Sequence, residues 1–122
     1  NPDQDLGKLW WDLKQRYQLL NPPENVNRPD YAAKNHVVTT PAYYHNYMLG
    51  DLFACQVQEH LAGKLGVKDP YATCFYGKKE AGTYLRDEIF HPGNLYSWNE
   101  LTKRATGAPL SAKAYARQLA GP

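Results

Sequence analysis

The sequence lacks every short signature of a self-contained catalytic centre. There is no H-E-x-x-H, no C-x-x-C, no G-x-S-x-G and no glycine-rich phosphate loop. These absences remove the sequence signs of a helix-borne zinc site, a dithiol, a serine nucleophile elbow and a nucleotide cradle. The four histidines, His36, His45, His60 and His91, are never three or four residues apart, and no acidic ligand at helical spacing completes a set. The chain is therefore expected to hold no complete metal site. Cysteine is scarce: Cys55 and Cys74 permit one disulfide at most. Cys55 lies in the most apolar stretch and reads as a buried free thiol, so the cysteines do not fix a compartment. No apolar run reaches transmembrane length, and no signal-peptide pattern is seen. Charge is low and mixed, 14 basic against 12 acidic residues for a net +2. That excludes the basic face expected of a nucleic-acid binder. The absence of a starting methionine and the Ala-Gly-Pro ending suggest a piece of a longer protein.

What is present is aromatic and helical. Ten tyrosines stand among 122 residues, each an apolar ring with a hydroxyl to satisfy. Leu6, Leu9, Trp10, Leu13, Tyr17 and Leu20 recur at helical spacing, and Asn21-Pro22-Pro23 ends that helix. Lys8, Lys14 and Arg16 form its solvated face. Residues 21–40 show no helical period and read as a long irregular connection, with Val37-Val38 the one β-like pair. Asp69-Pro70 caps a short helical turn, and a helix follows over 78–90 with Ala81, Tyr84, Leu85 and Ile89 inward. Ser97 and Glu100 make a capping box flanked by Tyr96 and Leu101, opening a helix that closes at Gly107. Ser111 caps a last helix with Ala112, Tyr115 and Leu119 on one face. No repeat and no alternating strand pattern appears. The expected fold is all-α: about five helices around one long buried central helix, in a single helical segment over 1–122.

The central helix is the stretch on which the rest depends. Thr40 is a good N-cap and Pro41 occupies the position where proline is favoured, so the helix is predicted over 41–65. At 1.5 Å per residue it spans roughly 35 Å. From Met48 to Val57 it is apolar nearly all round, with Asp51 its single charge, and such a helix needs partners on several sides. Asp51 is placed to orient Tyr47 or to pair with a distant cation. Lys34 and His36, two apart, share a side of an extended segment. Tyr44 and Tyr47, three apart, share a helical face. Read blandly, these are loop residues and packing tyrosines. Read together, a lysine for a carboxylate, a histidine for a carbonyl and phenols for an oxyanion equip a site for a peptide C-terminus and its scissile amide.

Several further residues carry a resemblance. Trp10-Trp11-Asp12-Leu13 with Tyr17 and Pro22-Pro23 come first, then Lys34-x-His36, Tyr44-x-x-Tyr47 and Gln56-Val57-Gln58-Glu59. Lys79-Glu80-Ala81-Gly82, Thr106-Gly107 and Ser111-Ala112 follow. In this order and spacing the chain resembles the C-terminal part of the angiotensin-converting-enzyme-like peptidyl-dipeptidases, zinc metallopeptidases with a larger, almost wholly helical fold. The resemblance implies that zinc and its ligands, an H-E-x-x-H and a downstream glutamate, belong to a parent enzyme and lie outside this chain. It implies that Lys34 binds the substrate's C-terminal carboxylate with Tyr44 beside it. His36 would hydrogen-bond a backbone carbonyl, and Tyr47 would stabilise the oxyanion formed as zinc-bound water attacks the amide. The implied partners are an oligopeptide substrate and the remainder of the catalytic domain, and the implied location is outside the cytoplasm.

Departures from the family pattern carry expectations too. Asn46 and Lys14 stand where the family has arginines that bind chloride, which argues against chloride activation. The interval from His36 to Tyr44 is one residue longer than usual, leaving Tyr43 and Tyr44 as alternatives for the carboxylate. Cys74 matches one member of a family disulfide while Ala62 replaces the other, so that bridge is expected to be absent. The alternative reading is a non-catalytic helical module that binds peptides or serves a structural role.

Overall fold

The computed structural model describes residues 3–25 and 28–121. Among them every regular element is helical, and no strand occurs. The order is α1 (Leu6–Gln18), a 3₁₀ turn (Asp30–Ala33), α2 (Asn35–Val38), α3 (His45–Lys64), α4 (Lys79–Tyr84) running into a π-helical turn (Leu85–Phe90), α5 (Trp98–Thr106) and α6 (Lys113–Ala120). The all-α class expected from periodicity is what the chain adopts. The contacts divide it into two compact units, residues 1–46 and 47–122.

In the first unit, Asp5 caps α1 by accepting a hydrogen bond from the Lys8 backbone N–H. Leu19, in the left-handed region at φ 58°, ends the helix three residues before Pro22. The apolar stripe read from the sequence is real, yet α1 buries no residue, and Leu13, Tyr17 and Leu20 on it are exposed. Lys8 pairs with Asp12 one turn on, in solvent. Val37 and Val38 are not extended: they close the four-residue α2. Their backbone N–H groups both donate to the Lys34 carbonyl, so the preceding turn nucleates this one.

The long helix begins later than Thr40 and Pro41 suggested. Residues 40–42 form a bend and turn, Ala42 adopts φ 59°, and helical hydrogen bonding starts at His45. Proline at the start of a turn is as well placed as proline at the start of a helix, and here the turn prevails. The helix keeps 20 residues, about 30 Å at the standard rise. Its burial is one-ended. Cys55, Val57, Leu61 and Ala62 are buried, whereas Tyr47 and Met48 are about half exposed.

The second unit holds the core. Val57 and Leu61 of α3 meet Ala81 and Tyr84 of α4, with Phe53, Leu65, Phe75, Leu85 and Ile89 packed around them. The inward set expected on the helix at 78–90 is thus confirmed. The π turn contributes to it. The His91 N–H donates to the Arg86 carbonyl, five residues back, which widens the helix by one residue. In an unbroken α-helix Glu88 would lie nearest the face of Ala81 and Leu85; here Ile89 packs inward and Glu88 is exposed. The Tyr84 hydroxyl donates to the Ala105 carbonyl at 2.9 Å, tying α4 to α5.

The capping box at Ser97 and Glu100 forms in both directions, and Gly107 at φ 80° closes α5. Tyr96, beside the cap, lies under the Arg104 guanidinium, 4.5 Å from its ring centre. Asp69 caps a bend rather than a helical turn, its carboxylate accepting from the Tyr71 and Ala72 N–H groups. The face predicted for the last helix is rotated. Ala114 is its buried residue and Leu119 is 71% exposed.

Candidate functional site

Three of the four sequence candidates lie in or beside the short helical segment of the first unit, and its position is built from α1. The Trp10 indole N–H donates to the Asp30 carboxylate at 3.1 Å, fastening the 3₁₀ turn to α1. That turn ends at Lys34, whose backbone N–H donates to the Tyr31 carbonyl, and Lys34 in turn is the N-cap of α2. The Trp10-Trp11 pair, part of the resemblance, thus has a mechanical role through Trp10, which anchors the segment that presents Lys34 and His36.

Lys34 is exposed and extended, with φ −93° and ψ 108°, while Asn35 and His36 are already helical. The alternation that would put Lys34 and His36 on one side of a strand does not apply. His36 is half-buried, and its backbone N–H is held by the Asn35 side chain. Its imidazole lies nearly parallel to the ring of Tyr44, with centroids 5.3 Å apart and 15° between planes. Tyr43 is also near-parallel to it, at 6.4 Å and 16°. The turn through Ala42 brings both tyrosines to His36. Tyr44 precedes α3, so it does not share a helical face with Tyr47. Tyr47 belongs to the second unit, where it stands half exposed in the first turn of α3.

The second unit carries polar groups for which the sequence suggested no role. Gln56 uses both ends of its amide. Its nitrogen donates to the Thr106 hydroxyl and to the carbonyls of Ala108 and Pro109, and its oxygen accepts from the Ser111 N–H, all within 2.8 to 3.2 Å. Gln58 donates to the Pro70 carbonyl at 2.6 Å. Glu59 receives the Arg117 guanidinium through two nitrogens and the hydroxyl of Tyr71, which also lies 2.8 Å from the Ala114 carbonyl. The Gln56-to-Glu59 run, part of the family resemblance, ties α3 to both the loop after it and α6. Polar residues on the more buried half of an apolar helix were its one sequence signal.

The electrostatics agree. Arg117 beside Glu59 holds that carboxyl below the usual range against the opposing effect of burial, with Tyr71 helping. Burial and the Glu59 carboxylate push the Tyr71 phenol up to about 12. Glu59 raises Arg117 further, so the pair stays charged. Asp51, the single charge in the apolar stretch of the central helix, is exposed. Burial and nearby Lys64 lower His60, which lines an open pocket of about 330 Å³ with Gln56, Glu59, Thr106, Ser111 and Arg117. Those hydrogen-bonding groups are largely engaged with one another, so the pocket reads as scaffold. Cys55 is buried and free, its thiol 2.7 Å from the Gln118 amide oxygen, and Cys74 is an exposed free thiol.

Among the described residues, no three His, Cys, Asp or Glu side chains gather in a way that could hold a metal. The residues present do not fit a zinc ion by themselves. No described helix is long and apolar enough to cross a membrane.

Comparison with known proteins places the chain. The family model described as angiotensin-converting enzyme matches residues 1–117. The chain is 35% identical over 115 residues to angiotensin-converting enzyme of Oryctolagus cuniculus and 34% identical over 115 to that of Sus scrofa, covering 91% of this chain and 9% of each relative. It is 32% identical over 110 residues to angiotensin-converting enzyme-like protein Ace3 of Mus musculus, covering 87% of this chain and 15% of that protein. The chain thus spans a small fraction, 9 to 15%, of the length of these curated relatives. No solved structure matches it. On the match to residues 1–117 and these identities, the chain belongs to the angiotensin-converting enzyme family.

Proposed function

We propose that all 122 residues form the C-terminal portion of one peptidyl-dipeptidase-like catalytic domain that releases dipeptides from the C-termini of oligopeptides. The observation carrying this reading is the family match over residues 1–117. In it, the exposed Lys34 ammonium binds the substrate's terminal carboxylate, with the Tyr44 hydroxyl beside it. His36 donates a hydrogen bond to a substrate backbone carbonyl. Tyr47 donates a hydrogen bond from its phenol hydroxyl to the oxygen that becomes negative as the amide carbonyl turns tetrahedral, the moment at which such a bond contributes most.

No residue here is assigned as nucleophile or general base, and the zinc of the parent enzyme is assigned to residues outside this chain. The exposed half of α3 and the uncovered apolar stripe of α1 support this reading, because both present apolar surface that a larger helical domain would cover. Asn46 and Lys14 in place of the family arginines predict an activity independent of chloride. We place the parent enzyme outside the cytoplasm, on the family resemblance alone.

The test is zinc content and dipeptide release, measured for this chain and for the polypeptide completed with the remaining family domain. The expected result is neither in the chain alone and both in the complete protein, with Tyr47→Phe lowering kcat there. Tight stoichiometric zinc in residues 1–122 alone, or a complete protein indifferent to Tyr47→Phe, would overturn the proposal. Peptide binding by a complete protein that never cleaves would instead favour a non-catalytic peptide-binding module.

A further inference from the structure

The arrangement around His36 contains more than a histidine within reach of a substrate. Two tyrosine rings lie nearly parallel to the imidazole, at 15° and 16°. They are delivered there by a turn whose central residue, Ala42, holds φ 59° without being glycine or asparagine. A left-handed alanine is uncommon and costs conformational energy, and such residues gather where a local geometry has to be held. The same turn delays the start of α3 to His45, which frees Tyr43 and Tyr44 from helical directions.

Neither α2 nor the adjoining 3₁₀ turn buries any residue, and His36 itself is half-buried, so ring contacts bear directly on its plane. A ring at 5.3 Å and 15° is the offset-stacked geometry that aromatic pairs prefer, and it restricts rotation about the bond to the ring.

We infer that Tyr44 is a positioning residue as well as a carboxylate ligand: its ring sets the plane of His36 while its hydroxyl meets the substrate carboxylate. This rests on the function proposed above and adds a coupling to it. Binding of the peptide terminus at the Tyr44 hydroxyl orders the same ring that aims His36 at the carbonyl, so substrates with a free C-terminal carboxylate gain in kcat as well as in KM. Tyr43, farther from the imidazole at 6.4 Å, supports the stack from a greater distance and contributes less.

The two parts of Tyr44 separate cleanly by substitution, and because its side chain is 58% exposed neither variant threatens folding. The complete polypeptide is prepared with carbon-13 at the histidine Cε1, and the His36 resonance is identified by its loss in His36→Gln. Tyr44→Phe keeps the ring: KM rises for peptides with a free carboxylate, and the His36 resonance stays in place. Tyr44→Leu removes the ring: the resonance moves downfield as the ring current is lost, and kcat falls by about tenfold beyond the Phe variant. Equal kcat in the two variants overturns the positioning role. An unmoved His36 resonance in Tyr44→Leu overturns the stack itself. If the complete polypeptide cleaves no peptide, the function proposed above fails, while the resonance still decides whether Tyr44 sets His36.

Discussion

The two compact units of this chain are built on opposite principles. Every buried residue among those described lies at or beyond Cys55, in the second unit, where apolar packing and polar ties act together. Leu61 and Tyr84 form its centre, and Gln56, Gln58 and Glu59 fasten loops and α6 to the same helix. In the first unit nothing described is buried, and local contacts such as caps, the Lys8–Asp12 pair, the Trp10 indole hydrogen bond and stacked rings order it. Yet that unit presents Lys34, His36 and Tyr44. The difference teaches that, under the proposed function, most of the recognition and most of the stability fall to separate stretches of sequence. The candidate residues Lys34, His36 and Tyr44 stand on a lightly packed frame, while the second unit carries the core.

The comparison can be broken most severely at Leu61, 2% exposed at the centre of the core. Leu61→Ala is expected to cost about 2–5 kcal/mol, against less than about 1 kcal/mol for Leu13→Ala on the open stripe of α1. Urea unfolding of the two variants decides it, and equal costs would erase the distinction between the units. Next is Gln56, where Ala removes an amide that makes four hydrogen bonds; the expected loss is about 1–3 kcal/mol, with amide exchange accelerating over residues 106–111.

Glu59→Gln should lower the thermal midpoint at neutral pH by a few degrees. Its pH dependence has a definite sign. A carboxyl held low in the folded state contributes stability above its unfolded pKa of about 4.3, and that contribution fades as the pH falls through the folded value. The variant should therefore flatten the loss of stability in that acidic range, and an unchanged acid limb in melts across pH would sink the assignment. The smallest effect is a gain. Ala42→Gly relieves a left-handed alanine and should stabilise the turn by about 0.5–1 kcal/mol, read as slower exchange at residues 43–46.

Much of the second unit could be read from sequence because its signals are local. The spacing of Ala81, Tyr84, Leu85 and Ile89 gave the inward face, and Ser97 with Glu100 gave a helix start that the structure reproduces. Where two local signals compete, reading fails. Thr40-Pro41 is a valid helix start and an equally valid turn, and in the structure the turn forms and leads two consecutive tyrosines to a histidine. Partners distant in sequence leave no periodicity at all: nothing within the helix announces that Gln56 belongs with residues 106–111 or Glu59 with Arg117. The candidate site falls in between. Its residues were named by their chemistry, but the stacking of Tyr43 and Tyr44 on His36 depends on the backbone of Ala42, which no side-chain pattern encodes.

The π turn at Leu85–Phe90 behaves as a one-residue insertion stored inside a helix. Its effect is a change of phase between two ends of the same rod: the α4 end is rotated to place Ala81 and Tyr84, and the far end to place Ile89. Delete a single exposed residue from that turn and an ordinary α-helix remains, with the isoleucine stepping into the inward position that Glu88 would hold in an unbroken helix of the present length. This stretch should therefore accept many point changes at its exposed positions and the loss of one residue, but not a further insertion, which would turn the far end away from the core.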